Sequence, residues 1–446
     1  MNLKKSSFFL CCLIGLTASS FAQNPLIRNM YSADPSARVF GDSMYVYPSH
    51  DILATPGHGR FGWFCMEDYH VFASKNLTDW KDDGIVVSQT TVPWAKPDGY
   101  SMWAPDCIER DGKYYFYFPT APKEAYGRGF AIGVAIADKP SGPFIPQAEP
   151  IKDVHGIDPN VFIDKDGKAY LYYALGNIYG VKLKSNMLEL DGKPEIMQGL
   201  PTDKGLKEGP FLFERKGKYY MTYPHVADKT ERLEYAVGDS PLGLFKVTGV
   251  LMDETPGCWT NHQSITQYKN QWYLFYHAND LSPNFDKARS IRADSLFFNE
   301  DGTIKKVIPT LRGIGVTDAT SDIQIDRYTA KADEGVTVDF IDTSNRFNGW
   351  KTIFNKPDAW IQYNTVDFGK KKLKSVAVKA MAESGGTLKI HVKSIDGPVV
   401  AEVKIPKSNK WKLTKARVVK FEGGLQNLFI VSEDNKQIEV DWIKFQ

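Results

Sequence analysis

Asp111-Gly112-Lys113-Tyr114-Tyr115-Phe116-Tyr117 is a tight turn followed by a run of aromatics. The phrase returns as Gly41-Asp42-Ser43-Met44-Tyr45-Val46-Tyr47, Asp166-Gly167-Lys168-Ala169-Tyr170-Leu171-Tyr172, Lys216-Gly217-Lys218-Tyr219-Tyr220-Met221 and Lys269-Asn270-Gln271-Trp272-Tyr273-Leu274-Phe275. The anchor residues Tyr45, Tyr115, Tyr170, Tyr220 and Tyr273 stand 70, 55, 50 and 53 residues apart. Repeats of about 50 residues built from short strands and Asp-Gly or Gly-Lys turns predict the blades of a β-propeller. A second phrase recurs at Val71-Phe72-Ala73-Ser74, Gly133-Val134-Ala135-Ile136-Ala137 and Glu234-Tyr235-Ala236-Val237. It alternates at period two and runs into a turn, as the outer hairpin of a blade does. Most of the aromatics are expected to pack blade against blade.

Counting back eleven or twelve residues from Tyr45, Tyr170, Tyr220 and Tyr273 reaches Asp34, Asp158, Glu208 and His262. The same step from Tyr115 reaches Trp103-Ala104, just before Asp106. Equivalent strands of a propeller line one central channel, so residues at one offset converge. A lone Asp-Pro (Asp34-Pro35, Asp158-Pro159) or Glu208-Gly209-Pro210 ordinarily marks a turn. Its recurrence at one blade offset points instead to a site. Carboxyl groups crowded there cannot all ionise freely, and repulsion is expected to keep at least one protonated.

The composition narrows the function. With 446 residues the chain is long enough for two domains, and 42% hydrophobic with 13% aromatic residues fits a globular β-rich protein. Residues 1–22 read as a signal peptide: Lys4-Lys5, an apolar run from Phe8 to Leu16, then Ser20-Phe21-Ala22. That run is too short to span a bilayer, and no other stretch is long and apolar enough, so no membrane insertion is expected. Removing the segment lowers the net charge from +2 to 0, and no basic stripe offers itself to nucleic acid. Cys65, Cys107 and Cys258 remain, an odd number without the spacing of a zinc site or a disulfide framework. Export still leaves one pair free to close. The expected location is the periplasm or the extracellular surface, and the oligomeric state is not legible.

The long first repeat predicts a loop over the channel mouth in 50–100, with His58, Trp63 and Trp94. Past Gly313-Ile314-Gly315-Val316 the aromatic phrase disappears. Strand candidates then follow at Ala359–Tyr363, Lys374–Ala380, Thr387–Val392, Ala401–Ile405, Arg417–Phe421, Asn427–Val431 and Glu439–Phe445. The chain therefore divides into a propeller over 23–316 and a β-sandwich, jelly-roll-like, over 322–446. The fold class is all-β.

A protonated acid facing an ionised carboxylate across a sugar-sized gap is the machinery of glycoside hydrolysis. Acids on different blades favour the wider, inverting spacing that admits a water. On this reading Asp34 is the general base, Glu208 the general acid, and Asp158 holds the acid and raises its pKa. His262, with waters, is a place for an oxygen-loving cation such as Ca²⁺, or faces substrate. Arg289 is a further candidate, against the plainer reading of a surface ion pair.

Asp34-Pro35, Trp103-Ala104-Pro105-Asp106, Ile157-Asp158-Pro159, Glu208-Gly209-Pro210 and His262 resemble the signature positions of glycoside hydrolase family 43. The resemblance implies a five-bladed β-propeller and an inverting mechanism, with Asp34 as base, Asp158 as pKa modulator and Glu208 as acid. It also implies a central calcium near His262, a substrate-site role for Arg289, and Trp103 as the wall of the terminal-sugar subsite. Ile323-Gln324, Tyr328, Trp360-Ile361-Gln362-Tyr363, Gly385-Gly386, Trp411 and Asp441-Trp442 resemble a family 6 carbohydrate-binding module. There Trp411 falls at a sugar-stacking position, with Trp350 as its partner. Asp326 stands where that family usually has Glu, and Glu439 where Asn often contacts sugar. Both departures weigh against calcium and ligand binding by the module.

The expected activity is exo-release of terminal α-L-arabinofuranose or β-D-xylose from plant cell-wall polysaccharide. Endo-xylanase, endo-arabinanase and exo-galactanase reactions on the same fold are the alternatives, together with a non-catalytic carbohydrate-binding protein. A metal-dependent phosphodiesterase would need His and Asp clusters that do not stand out in the sequence.

Overall fold

The computed structural model describes residues 23–201, 205 and 207–446, so the leader expected over 1–22 lies outside the described residues. Half of the chain is strand and only 1% helix.

Five antiparallel sheets follow one another, each a meander in chain order. The first comprises Ala33–Phe40, Ser43–Asp51, Met66–Ser74 and Lys81–Ser88. The second comprises Asp106–Arg110, Lys113–Thr120, Ala131–Ala137 and Ile145–Pro146. Ile157–Ile163, Ala169–Ala174, Ile178–Leu183 and Glu195–Ile196 form the third. Phe211–Arg215, Lys218–Val226, Glu231–Gly238 and Phe245–Met252 form the fourth. The fifth has three strands, Ser264–Tyr268, Gln271–Ala278 and Ser290–Leu296.

Each copy of the aromatic phrase is the hairpin between the first two strands of a sheet. Asp111-Gly112, Lys216-Gly217 and Lys269-Asn270 place both central residues at positive φ. That is the backbone of a two-residue primed turn, whose twist matches the strands it joins. The aromatics that follow are buried between sheets. Tyr47 of the first sheet lies 5.7 Å (ring centroids) from Phe116 of the second, and both are fully buried.

First strands pack against first strands: each touches the next, and the fifth closes on the first. A belt of polar contacts binds these junctions. Ser264 Oγ donates to Pro35 O (2.5 Å) and accepts from Ala37 N–H (2.9 Å), joining the fifth sheet to the first. Asp106 accepts from Ser36 Oγ (2.6 Å), Arg38 Nε (3.0 Å) and Nη2 (2.5 Å), Asn160 Nδ2 (3.0 Å) and Val161 N–H (2.7 Å). It thereby joins the first three sheets. Asn160 Oδ1 then accepts from Leu212 N–H (2.9 Å), and Gln263 Nε2 donates to Gly209 O (2.9 Å), completing the ring.

Beyond the ring, Thr317–Asp318 already pairs with Trp360–Asp367, in a sheet with Leu425–Ser432, Gly386–Val392 and Val399–Ile405. A second sheet holds Val336–Phe340, Trp350–Phe354, Ile438–Phe445, Ser375–Ala382 and Ser408–Arg417. Both enclose one core that includes Phe354, Tyr363, Ile430 and Phe445. The strand expected at Arg417–Phe421 instead ends at Arg417. Ser408–Arg417 is an edge strand, and its lysine-rich, exposed pattern lacks the apolar face that the sequence reading sought. Trp350 is also not a sugar platform. It is buried, with the Arg327 guanidinium 3.6 Å and that of Arg28 5.0 Å from its ring centroid. Cys65, Cys107 and Cys258 are buried and free, so no pair closes.

Asp106 is buried, and five donors from the first and third sheets converge on it. Asp106→Ala leaves Arg38 without its carboxylate and is expected to cost about 3–5 kcal/mol. Urea unfolding should show this as a lower midpoint at unchanged slope. A loss under about 1 kcal/mol would mean that the belt is not what ties the sheets.

Candidate active site

Pairing registers identify the equivalent residue in every repeat. Tyr45 pairs with Arg38, Tyr115 with Ile108, Tyr170 with Phe162, Tyr220 with Phe213 and Tyr273 with Thr266. Four residues before these partners stand Asp34, Ala104, Asp158, Gly209 and His262. Glu208 is thus one residue out of register. Gly209 explains the shift. Its φ is +50°, and a Cβ there would sit 2.8 Å from the Pro224 ring and 3.1 Å from His262 Cε1. No side chain fits at the equivalent position, so the fourth repeat delivers its carboxyl from the residue before. Asp34 (φ 48°) and Asp158 (φ 57°) hold the same left-handed backbone despite their side chains.

These strand starts meet at a cavity of about 230 Å³. Asp34, Asp158, Glu208, His262, Arg289 and Trp103 all line it, as do Trp63 and Phe64 from the long first repeat. Trp63 therefore occupies the place expected of that insertion. Trp94 is instead buried against Phe118, and His58 pairs with Glu67 at 3.3 Å. Trp103 is flanked by Phe130, with ring centroids 4.4 Å apart. Trp411 lies elsewhere, half-exposed on the edge strand Ser408–Arg417.

Arg289 is not at the surface. It is buried and grips two aspartates. Nη1 and Nη2 donate to the two oxygens of Asp34 (2.7 and 3.1 Å), while Nε and Nη2 donate to Asp51 (2.8 and 2.9 Å). Ser49 Oγ adds a bond to Asp34 Oδ2 at 2.7 Å. His277 Nδ1 lies 3.2 Å from the Asp34 N–H, and its Nε2 lies 3.0 Å from Thr260 O. Burial alone would raise the Asp34 pKa, but Arg289 and His277 hold it well below the usual carboxylate range.

The other acids shift the opposite way. Burial pushes Asp158 up to about 7, opposed by His262 and by the Gly209 N–H that it accepts at 2.9 Å. Glu208 is raised well above its ordinary value, first by burial and then by the neighbouring carboxyl of Glu231. Glu231 is itself fully buried and pushed up to about 8, again chiefly by burial. Its Oε2 accepts the Asn261 N–H at 2.6 Å. Desolvation, more than mutual repulsion, keeps these protons on.

Asp51, Ser49, His277 and Glu231 escaped the sequence reading. All four lie on second or third strands, outside the repeated offset. His262 is half-buried, and burial lowers its pKa. Among the described residues, no group of three His, Cys, Asp or Glu ligand atoms gathers around it.

A family model for "Glycosyl hydrolases family 43" matches residues 22–304, and one for "Carbohydrate binding module (family 6)" matches 328–446. The "Xylosidase/arabinosidase 43A" of Humicola insolens is 35% identical over 330 residues, covering 63% of this chain and 98% of that protein. A "Beta-xylosidase" of Xylanibacter ruminicola is 36% identical over 321 residues, covering 62% and 97%. Among solved structures, a GH43 β-xylosidase/α-arabinofuranosidase from a compost microbial metagenome, in complex with xylotriose and calcium-free, superposes with a TM-score of 0.58. It is 33% identical and covers 65% of this chain and 98% of its own.

Replacing Arg289 by Met would leave Asp34 buried without its cation, so its folded pKa should move from depressed to raised. A depressed folded pKa stabilises above the unfolded value of about 3.9 and loses that contribution as pH falls. A raised one destabilises as pH climbs past the same value. The stability gap between wild type and Arg289→Met should therefore be widest near neutral pH and narrow below about pH 4. Urea melts across that range check this, and a gap independent of pH would refute it.

Proposed function

Because the chain belongs to glycosyl hydrolase family 43 and is therefore a glycosidase, we propose that it removes terminal α-L-arabinofuranose or β-D-xylose from plant cell-wall polysaccharide by an inverting mechanism. The observation that carries this reading is the division of protons within one cavity. Arg289 keeps Asp34 ionised while burial keeps Glu208 protonated. Asp34 is then the base that activates water against the anomeric carbon, and Glu208 the acid that protonates the leaving oxygen. Asp158 positions the acid through the Gly209 N–H. Arg289 acts chiefly by fixing Asp34, since most of its donors are committed to Asp34 and Asp51.

The space corresponds to on the order of eight waters, which suits one sugar ring between Trp103, Trp63 and Phe64 and supports exo action. The ring of five sheets is read as a five-bladed β-propeller and the C-terminal pair of sheets as a β-sandwich. Trp411 is proposed as a sugar platform of the latter. A Ca²⁺ beside His262 would depend on water for most of its about six to eight oxygen ligands, and no step is routed through it. Export is proposed from residues 1–22. Cleavage after Ala22 would free Gln23, which donates to Tyr363 OH at 2.7 Å and to Gln324 O at 2.9 Å.

The test is sugar release from 4-nitrophenyl α-L-arabinofuranoside and β-D-xyloside, with NMR of the first-formed anomer. Inversion, with activity abolished in Asp34→Ala, is expected; retention or an active variant would overturn the assignment. On an oligosaccharide, whose leaving group needs a proton, Glu208→Gln should lower kcat by about 10²–10⁴-fold.

Glu231 gives a further expectation. Its carboxyl raises the pKa of Glu208, so Glu231→Gln should lower it. The alkaline limb of kcat/KM against pH should then move to lower pH, with the acid limb in place. An unmoved alkaline limb would show that Glu231 does not tune the acid.

A further inference from the structure

Outside the cavity, on the first sheet, two imidazoles and a carboxylate converge. His50 on Ser43–Asp51 and Asp68 and His70 on Met66–Ser74 each bring one ligand atom within 4.8 Å of the other two. His50 Nδ1 lies 2.7 Å from Asp68 Oδ1, and His70 Nε2 lies 4.0 Å from the same oxygen. The two rings stand edge to face, with centroids 5.1 Å apart. The three side chains are 20, 10 and 13% exposed, shielded yet open to an ion from solvent.

We propose that His50, Asp68 and His70 form a binding site for a divalent transition-metal ion of the zinc or cobalt class. The bland alternative is a hydrogen-bonded His–Asp pair with a second histidine nearby. Asp82 argues against it. Its two oxygens lie 3.0 and 3.1 Å from His70 Nδ1, so that nitrogen carries the proton and donates it. The Nε2 lone pair then faces Asp68 and His50. A carboxylate that orients a ligating histidine through its far nitrogen is the usual outer partner of a metal site.

The donor set selects the ion. Two imidazoles and one carboxylate suit Zn²⁺ or Co²⁺, whereas Ca²⁺ and Mg²⁺ demand oxygen. Bonds of about 2.0–2.2 Å allow ligand atoms no more than about 4.4 Å apart, so small side-chain rotations suffice. Water completes a tetrahedron. The ion pairs of Asp68 and Asp82 among the described residues are with these same histidines. A dication would thus meet the carboxylates of Asp68 and Asp82, displacing any proton shared by His50 and Asp68. Ser49 and Asp51, on either side of His50, contact Asp34 and Arg289, so a bound ion would brace the strand that holds the base.

The experiment is titration of metal-stripped, tag-free full chain with Co²⁺, followed by calorimetry and visible absorption. One equivalent is expected to bind with the spectrum of a nitrogen- and oxygen-ligated tetrahedral ion. Asp82→Asn, which keeps every proposed ligand, should weaken binding about 10- to 100-fold, and Asp68→Asn should weaken it at least as much. No stoichiometric binding, or unchanged affinity in both variants, would overturn the site. Should a variant fail to fold, anomalous diffraction from wild-type crystals grown with Zn²⁺ decides. A peak between His50 and His70 supports the proposal, and a peak only beside His262, or none, overturns it.

Discussion

A single guanidinium has to serve a cavity that gathers three carboxyl groups. Arg289 is the one permanently charged cation among the described residues lining it, and it is already divided between Asp34 and Asp51. Burying an ionised carboxylate without a partner is costly, and a buried acid avoids the cost by keeping its proton. The charge pattern follows directly. The acid beside the guanidinium ionises readily, and Asp158 and Glu208, with no hydrogen bond to it, hold their protons to higher pH. One residue thereby sets an ionised carboxylate apart from protonated ones, although all three enter from the same or the adjacent place in a repeat.

That separation depends on the belt beneath. Four of the five inner strands enter the cavity at one residue and, two residues further on, present a contact to a neighbour: Ser36, Asp106, Asn160 and Ser264. The layer that lines the cavity is thus set directly on the layer that closes the ring. A side chain cannot drift at the mouth without stretching bonds two residues below. The side chains at the mouth thus take their places from the starts of the first strands and the residues just before them.

How much of this was legible in the sequence depends on distance along the chain. The hairpin phrase is local: an Asp-Gly turn and alternating aromatics state their own geometry, so the repeats and the convergence of Asp34, Asp158 and His262 could be counted out. Glu208 was found by an approximate offset that concealed a one-residue shift. Only the Gly209 backbone and the Pro224 ring across from it reveal why the shift exists. Asp51 and Glu231 could not be found this way, because their importance comes from residues about 238 and 23 positions away and neither belongs to a repeated phrase. Trp350 failed for a related reason. An aromatic in a module that resembles a sugar binder looks like a platform until Arg28 and Arg327 are seen against it.

Those arginines show that the two halves are not beads on a string. Arg28 belongs to the segment entering the first sheet and Arg327 to the C-terminal unit, yet both meet Trp350. Arg327 also lies 3.6 Å from Asp280, which follows a strand of the fifth sheet and is held by Arg292. Arg312 reaches from the linker to Asn364 O and Thr365 Oγ1. Buried charged contacts of this kind tolerate sliding poorly, because each displaced partner leaves a desolvated charge behind. The C-terminal sheets are therefore tied by charged contacts to the fifth sheet, whose third strand follows Arg289.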